Sequence, residues 1–372
     1  MELSEIRSEF PILENKTYLN SCSLGALSQS SMTHLKEFQE VWNDRGASAW
    51  YGTWDNVIEE LRKRVSAFLS IQPQELALLP STSTALSVIA ECFDYKNRNK
   101  IICTDLDFPT LAFQWAVKPE IELVVLPTID GIHIDPKQFA EAVDEKTAFI
   151  ATSHVFYTTG YIQDLEVLGN IAHEAGAFLL IDGYQAPGQI PVNLSKSSAD
   201  FYTAGSLKWL CGGPGLSYLY VRNQLIEKMQ PRITSWFAAR NQFDFRMDTF
   251  EPHKDSRRFE MGTPALPTIY SALGGQKCID EIGITRIHRW NTQLTEYLID
   301  RLREKGLQLT VADNPSDRSG IVMIQSDNPE TIVEDLHKKD VILDSRPGHV
   351  RVSPHFYNSL EDIDHLISCW PS

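Results

Sequence analysis

The sequence lacks the features that mark membrane, secreted and nucleic-acid-binding proteins. Its 372 residues contain no apolar run long enough to cross a bilayer. The first residues show no basic stretch followed by an apolar one, so no secretory signal is expected. A formal net charge of −15 offers no basic surface for nucleic acid or anionic lipid. We therefore expect a cytoplasmic protein that binds neither nucleic acid nor membrane.

Cysteine pairs, repeats and low-complexity stretches are also missing. The six cysteines are scattered, and no two of them form a C-x-x-C pair. This spacing disfavours a disulfide framework and favours buried, reduced thiols. No metal site is expected.

Short apolar runs alternate with helical patterns from about residue 57 onward. Helical spacing of apolar residues occurs, for example, over 57–69 and 165–176. Strand-length apolar runs lie between such segments, at 100–105, 122–127, 147–154, 177–183 and 216–222. Strands that alternate with helices predict an α/β fold with a mainly parallel sheet covered on both faces.

The pattern changes after about Pro267. A long helical stretch follows, broken near Gly283, and then a compact series of short strands and helices. We expect an N-terminal arm (1–50), a large sheet domain (51–262) and a smaller C-terminal α/β domain (263–372). Ligands of open α/β sheets bind at the carboxyl ends of the strands, so the chemistry is expected there.

Two residues at predicted strand ends suggest a cofactor. Asp182 ends the run AFLLID, and Lys208 follows the next apolar run, 26 residues later. Pyridoxal phosphate (PLP) needs a lysine that forms a Schiff base with it and moves protons, and a carboxylate that keeps its ring nitrogen protonated. Taken singly, Asp182 can equally cap a turn, and Lys208 can be a solvated surface lysine.

Six motifs in order carry a resemblance to a known family. They are YLNSCSLGAL (18–27), LPSTSTALSV (79–88), DFPT (107–110), SWFAARNQFDF (235–245), RRFEMGTPALP (257–267) and HVRVSPHFYNSLEDID (349–364), with the Asp182 and Lys208 segments between them. Together they resemble the class V branch of the PLP-dependent aminotransferases, and within it kynureninase-like proteins. The resemblance implies the PLP-transferase fold type I, with Lys208 and Asp182 as catalytic residues.

The resemblance also implies which residues hold the cofactor phosphate. Hydroxyls and free N–H groups at 81–84, where a helix is predicted to begin, suit an anion, although an ordinary helix cap has the same pattern. In the family, Thr82 and Ser83 match phosphate contacts, and Ser206 adds another. Trp236 and Thr263 match positions that reach the phosphate from the neighbouring subunit. A homodimer is therefore expected.

Three further positions match the family's cofactor and substrate contacts. Phe108 follows a predicted strand, where its ring can stack on the cofactor or belong to the core. Gln185 matches the position near the cofactor's phenolic oxygen, where kynureninases usually carry histidine. Arg351 matches the arginine that binds the substrate α-carboxylate, with Arg346 as second choice. A guanidinium offers two parallel N–H groups to a carboxylate.

The chain departs from the kynureninase pattern at two positions. Leu207 stands where kynureninases carry tyrosine, and Phe156 stands where they tend to carry an amide. Both changes suggest a different substrate or reaction. Cysteine desulfurases, another class V branch, need a cysteine near the segment 314–322, and none lies there.

The favoured function is that of a PLP enzyme acting on a free α-amino acid. After forming a Schiff base, Lys208 would remove the Cα proton as general base, and the resulting carbanion leads to several reactions. Transamination is one outcome, and Cβ cleavage by a lyase or kynureninase-like hydrolase is the alternative. A non-catalytic PLP-binding relative is a second alternative. A nicotinamide-dependent oxidoreductase is disfavoured because GGPG lacks the G-x-G-x-x-G spacing.

Overall fold

A computed structural model describes residues 2–371, and its centre is a seven-stranded sheet. In the order found across the sheet, its strands are β2 (Leu76–Leu79), β8 (Ser217–Val221), β7 (Phe201–Gly205), β6 (Phe178–Asp182), β5 (Thr147–Ser153), β3 (Lys100–Thr104) and β4 (Glu122–Leu126). Strand β8 is antiparallel to both of its neighbours, and the other neighbours pair in parallel. The prediction of a mainly parallel sheet agrees with this topology.

The central strands are apolar runs because both faces of the sheet are covered. Every residue of β5, β7 and β8 is buried, which is typical of parallel sheets between helical layers. The helices of the sheet unit and of the segment before it are α1 (Leu3–Ser8), α2 (Gln29–Arg45), α3 (Thr53–Phe68), α4 (Thr82–Ala90), α5 (Thr110–Ala116), α6 (Pro136–Ala142), α7 (Leu165–Glu174) and α8 (Asn223–Ile226).

The C-terminal part forms a second, smaller layer. An antiparallel sheet has the order β12 (Asp344–Arg346), β13 (His349–Val352), β10 (Val322–Gln325) and β9 (Leu309–Thr310). Its helices are α10 (Ile284–Glu304), α11 (Pro329–His337) and α12 (Leu360–Cys369). Helix α9 (Leu266–Ile282) ends at Gly283, whose φ of +86° interrupts the helix where the break was predicted.

The N-terminal segment contacts both parts. Strand β1 (Thr17–Tyr18) pairs in parallel with β11 (Val341–Ile342) of the C-terminal part. Helix α2 packs along α9. The three-part division at 50 and 262 stays a prediction about independent units. Within residues 2–371, no helix is both long and apolar enough to cross a membrane.

The sheet topology fixes where the chemistry can lie. Strands β3, β5, β6 and β7 run in one direction, so the segments that follow them emerge at one edge of the sheet. Helix α4 follows β2, which runs in the same direction as β7 because both are antiparallel to β8. Its first turn therefore begins at that edge too.

Candidate active site

A cavity of about 260 Å³ lies at the carboxyl edge of the sheet. The predicted site residues that line it are Thr82, Ser83, Phe108, Asp182, Gln185 and Lys208. They come from four separate stretches of sequence. The fold therefore brings together most of the residues predicted to hold a cofactor.

Lys208 lies in the turn that follows β7, and the N-terminal segment packs against the backbone of this turn. The backbone N–H of Gly25 donates to the carbonyl of Leu207 (3.0 Å). A Cβ atom on Gly25 would lie only 2.1 Å from the Lys208 carbonyl oxygen, which explains the need for glycine there. The Lys208 ammonium, Nζ, lies 4.8 Å from the ring centroid of Tyr184. Among residues 2–371, Nζ has no hydrogen-bond acceptor and no carboxylate within ion-pair distance.

Burial makes this lysine a better base and nucleophile than an ordinary one. It lowers the pKa of Lys208 from 10.5 to about 8, and the positive charge of Arg351 adds to the effect while Asp182 opposes it. About a tenth of the amine is therefore unprotonated at pH 7, far more than for an ordinary lysine, and the unprotonated amine is the form that covalent and general-base chemistry requires.

The protonation of Lys208 gives a testable pH dependence. Reductive methylation of the cofactor-free protein by formaldehyde and cyanoborohydride should label Lys208 with a rate that rises with pH and levels off above about pH 8. Peptide mapping at each pH measures this rate, with N-acetyl-lysine in the same tube as the reference for an ordinary amine. A Lys208 rate that keeps rising in parallel with the reference up to pH 10 would contradict the lowered pKa.

Asp182 is the last residue of β6, between Ser153 of β5 and Thr203 of β7. It is 5 % exposed. One carboxylate oxygen, Oδ1, accepts a hydrogen bond from the Tyr184 backbone (2.9 Å), and Oδ2 has no donor within the described chain. Burial raises the pKa of Asp182, and the Tyr184 N–H and the Lys208 charge only partly oppose this. A buried carboxylate that faces a cavity and has no cation within ion-pair distance among the described residues suits a positively charged ligand atom.

The first turn of α4 also lines the cavity. Ser81 is the N-cap, and its hydroxyl accepts from the Thr84 N–H. The N–H groups of Thr82 and Ser83 precede the first intrahelical bond and have no acceptor in the part of the chain that the structure describes. Free N–H groups, nearby hydroxyls and the positive end of the helix dipole together suit a phosphate.

Phe108 and two tyrosines that the sequence did not single out supply the cavity's aromatic surface. The Phe108 side chain is 48 % exposed, so part of its ring is accessible to a flat ligand. Its ring and that of Tyr157 pack edge to face, with centroids 5.2 Å apart and planes at 80°. Tyr184 lines the cavity beside Lys208. Both tyrosines follow strand ends within four residues, which is the signal that could have found them.

Asp107 fixes the loop that carries Phe108, and sequence reasoning missed it. Its Oδ1 accepts from the Thr152 hydroxyl and from the N–H and hydroxyl of Ser153. Its Oδ2 accepts from the N–H and hydroxyl of Thr104. These bonds tie the loop after β3 to the end of β5. Burial nevertheless raises the pKa of Asp107 to about 6.

The side chains of Gln185 and Ser206 already form hydrogen bonds within the chain, so they offer fewer groups to a ligand than predicted. Gln185 accepts from the Trp209 indole (2.7 Å) and donates to the Cys22 carbonyl (3.1 Å), which leaves one amide N–H for a ligand. Ser206 is fully buried and does not line the cavity. Its hydroxyl donates to the Gly213 carbonyl (2.9 Å) and so shapes the lysine turn.

Arg351 lies behind the cavity wall, not in it. Its side chain is 1 % exposed and forms an ion pair with Asp344, its cross-strand partner. A second arginine, Arg346, contacts the same carboxylate (3.2 Å). The guanidinium also donates to the backbone carbonyl of Tyr157 (3.1 Å), a residue that does line the cavity.

Trp236 and Thr263 lie outside the cavity of their own chain. Both are exposed. Trp236 belongs to an exposed aromatic cluster with Tyr51, Phe243 and Phe245, which we call the aromatic patch. The roles assigned to Trp236 and Thr263 therefore depend on a second copy of the chain.

Comparisons with known proteins show which family the chain resembles. The family profile described as aminotransferase class-V matches residues 19–366. The uncharacterized aminotransferase YcbU of Bacillus subtilis is 30 % identical over 366 residues, which cover 98 % of this chain and 96 % of that protein. The kynureninase of Geobacillus thermodenitrificans is 27 % identical, with 98 % and 90 % covered.

Solved structures share the fold. A mutant of C-DES with glycine covalently linked to its PLP cofactor superposes with a TM-score of 0.88 at 21 % identity. The superposition covers 97 % of this chain and 98 % of that one. The predicted fold, a mixed α/β sheet of the PLP-transferase type with a smaller C-terminal layer, is thereby confirmed.

Proposed function

The chain belongs to the aminotransferase class-V family of PLP-dependent enzymes, and we propose that it acts on a free α-amino acid with Lys208 as the cofactor's attachment point. One observation carries this proposal. Lys208 and Asp182 line the same cavity, Asp182 is buried and Lys208 half-buried, and neither side chain has an ion-pair partner among residues 2–371. Two ionisable groups largely removed from water without such partners are costly unless a ligand interacts with both.

The residues around the cavity fit PLP at each part of the molecule. Lys208 would hold its aldehyde carbon, Asp182 its ring nitrogen, and the first turn of α4 its phosphate. Phe108 would cover a ring face, and the free N–H of Gln185 would suit its phenolic oxygen. When bound, PLP supplies an electron-withdrawing ring that stabilises negative charge on the substrate α-carbon.

The chain's own groups then account for proton movement and substrate binding. The pKa of Lys208, lowered to about 8, lets its amine accept the α-proton at neutral pH. Arg351, behind Tyr157, is the cation that would attract the substrate carboxylate. A non-catalytic role is disfavoured because a merely structural site would not need a half-buried lysine without an ion-pair partner.

Two types of reaction follow from the same proton removal. Transamination needs proton return to another carbon, whereas a Cβ-lyase or kynureninase-like hydrolase breaks a bond at Cβ. The kynureninase similarity favours the second type.

Leu207, which lines the cavity, disfavours kynurenine hydrolysis because it has no hydroxyl to move protons. Phe156 is fully buried and does not line the cavity, so its effect there is indirect. Mixing the holoenzyme with a panel of amino acids and identifying products by mass decides between the types.

L-Kynurenine is expected to be a poor substrate. Loss of a positioned acid or base typically costs about a hundred- to ten-thousand-fold in rate. Anthranilate fluorescence measures the release, with the Geobacillus enzyme as reference. Leu207→Tyr should raise the rate and Leu207→Phe, which adds the ring without the hydroxyl, should not. Anthranilate release by the unmodified protein at the reference rate would establish a plain kynureninase instead.

A homodimer is part of the proposal. The aromatic patch exposes large apolar side chains next to one another; Tyr51 is 75 % and Phe245 is 70 % exposed. Contiguous apolar surface of this kind marks interaction sites, and most soluble oligomers are symmetric dimers. In the proposed dimer, a partner chain on this patch would bring Trp236 towards a neighbouring cofactor, and Thr263 would reach the cofactor from the same partner chain.

Light scattering of the eluting holoprotein should give the mass of two chains. Phe245→Glu should shift the equilibrium towards monomer by placing a charge in an apolar interface, and should lower the affinity for PLP. Phe113→Glu, at an exposed phenylalanine away from the patch, is the matched control and should leave the mass unchanged. A stable monomer with full PLP occupancy would refute the proposed assembly.

A further inference from the structure

The ion pair between Asp344 and Arg351 uses a defined part of the guanidinium. Nε of Arg351 donates to Asp344 Oδ1 (3.0 Å), and Nη2 donates to Oδ2 (2.8 Å). This is the side-on, two-bond geometry of a guanidinium with a carboxylate. The two residues face each other directly across the β12–β13 pairing, so the backbone fixes their separation.

The remaining end of the guanidinium has only neutral acceptors. Nη2 also donates to the Ser23 hydroxyl (2.6 Å), and Nη1 donates to the Tyr157 carbonyl (3.1 Å). Of the five N–H groups of Arg351, two go to Asp344, two go to these neutral oxygens, and one on Nη1 is left. A carboxylate is a stronger acceptor than a hydroxyl or a carbonyl, so it can replace the Ser23 oxygen at this end.

Asp344 is itself held in place, and it separates two cations. Its Oδ2 accepts a short hydrogen bond from the Ser23 hydroxyl and lies 3.2 Å from Nη1 of Arg346. Although burial raises the pKa of Asp344, its hydrogen bonds and the charge of Arg351 lower it below the usual value. The carboxylate is therefore ionised at neutral pH. Without its charge, Arg346 and Arg351 would repel each other, and Arg351 would lose its fixed orientation.

We propose that Asp344 is a positioning residue that leaves only the Nη1–Nη2 end of Arg351, next to Tyr157, to receive the carboxylate of the substrate. The inference rests on the proposed function, because it presumes an amino-acid substrate bound beside Lys208. In this proposal the pair of Asp344 and Arg351 determines the selectivity for a carboxylate. The substrate carboxylate replaces the Ser23 hydroxyl as an acceptor for Arg351. Arg346 serves to hold Asp344 and does not contact the substrate.

The test compares two small reagents with the same reactive group. Aminooxyacetate and O-methylhydroxylamine both displace the Lys208 amine from PLP, but only aminooxyacetate carries a carboxylate. The second-order rate of loss of the lysine-linked absorbance is measured for each reagent. Wild type is expected to prefer aminooxyacetate, and Asp344→Asn is expected to reduce that preference by about tenfold to a hundredfold. The rate with O-methylhydroxylamine should stay nearly the same.

Two further variants complete the test. Asp335→Asn removes an exposed carboxylate that pairs with Lys338 on α11 and should leave the preference unchanged. Ser23→Ala removes the oxygen that competes for Arg351, so the preference for aminooxyacetate should stay the same or increase slightly. This variant also provides a test of the inference if Asp344→Asn does not fold. A tenfold loss of preference in Ser23→Ala would overturn the inference, since the hydroxyl would then itself be needed for carboxylate binding.

The remaining outcomes separate this inference from the proposed function. If Asp344→Asn keeps the wild-type preference, the ion pair is purely structural and the inference is wrong. If the preference increases, Asp344 competes with the substrate and the inference is again wrong. If wild type reacts with both reagents equally, Arg351 does not bind carboxylates. If no lysine-linked absorbance forms at all, the proposed function itself fails, and the inference fails with it.

Discussion

Lys208→Ala is expected to abolish covalent attachment of PLP and to lower the exchange of a substrate α-hydrogen by about a thousandfold or more. The amine is both the attachment point and the base, and a positioned base alone is typically worth about a hundred- to ten-thousand-fold. No other lysine amine lines the cavity within residues 2–371, so no neighbour can replace it. The exchange is followed by NMR in deuterated water, with the amino acid that most changes the cofactor absorbance.

The matched control for this variant is an exposed lysine. Lys196→Ala lies on the surface away from the cavity and should retain wild-type absorbance and exchange. A Lys208→Ala protein that is folded, binds PLP and still exchanges the α-hydrogen at the wild-type rate would show that another group is the base.

Asp182→Asn is expected to lower α-hydrogen exchange by about a hundredfold or more and to weaken PLP binding. Asparagine keeps the shape and the acceptor for the Tyr184 N–H but loses the charge that would face the ring nitrogen. Removing one partner of a buried ion pair costs about 3–5 kcal/mol. Exchange rates and PLP titrations measure the two effects.

The stability of the cofactor-free protein separates a functional carboxylate from a structural one. Burial raises the pKa of Asp182 in the folded state, so the ionised form is penalised by folding at neutral pH. The neutral asparagine avoids this penalty, and the free energy of unfolding should stay the same or rise. Asp200→Asn is the control, since Asp200 is equally buried but pairs with Arg222 at the other end of the sheet. It should lose stability without a change in the cofactor spectrum. Loss of stability in Asp182→Asn with normal exchange would contradict the assigned role.

The parts of the fold that follow from local pattern were predictable. The apolar runs that form β5, β7 and β8 are buried throughout, and those that form β3 and β6 are buried except at their first residue. Such runs can be recognised in the sequence without any tertiary information. The helix break at Gly283 was predictable from the sequence because only glycine adopts a positive φ there at little cost. Cavity residues at the ends of parallel strands were predictable for the same topological reason.

Features that depend on pairing between distant segments were not predictable. The run 341–346 is divided between two pairings: its first two residues pair with the N-terminal Thr17–Tyr18, and its last three pair with β13. The partner of Arg351 depends on that second pairing, and so does its place behind the cavity wall. Ser206 is turned away from the cavity by a bond to Gly213 that sequence does not reveal.

The central claim is that PLP is bound covalently to Lys208, and borohydride reduction tests it most directly. The holoprotein is reduced, digested and mapped by mass spectrometry. The predicted result is a single pyridoxyl group on the peptide that contains Lys208, with loss of the lysine-linked absorbance. A pyridoxyl group on any other lysine, or none after reduction of a protein saturated with PLP, would contradict the assignment of the active site.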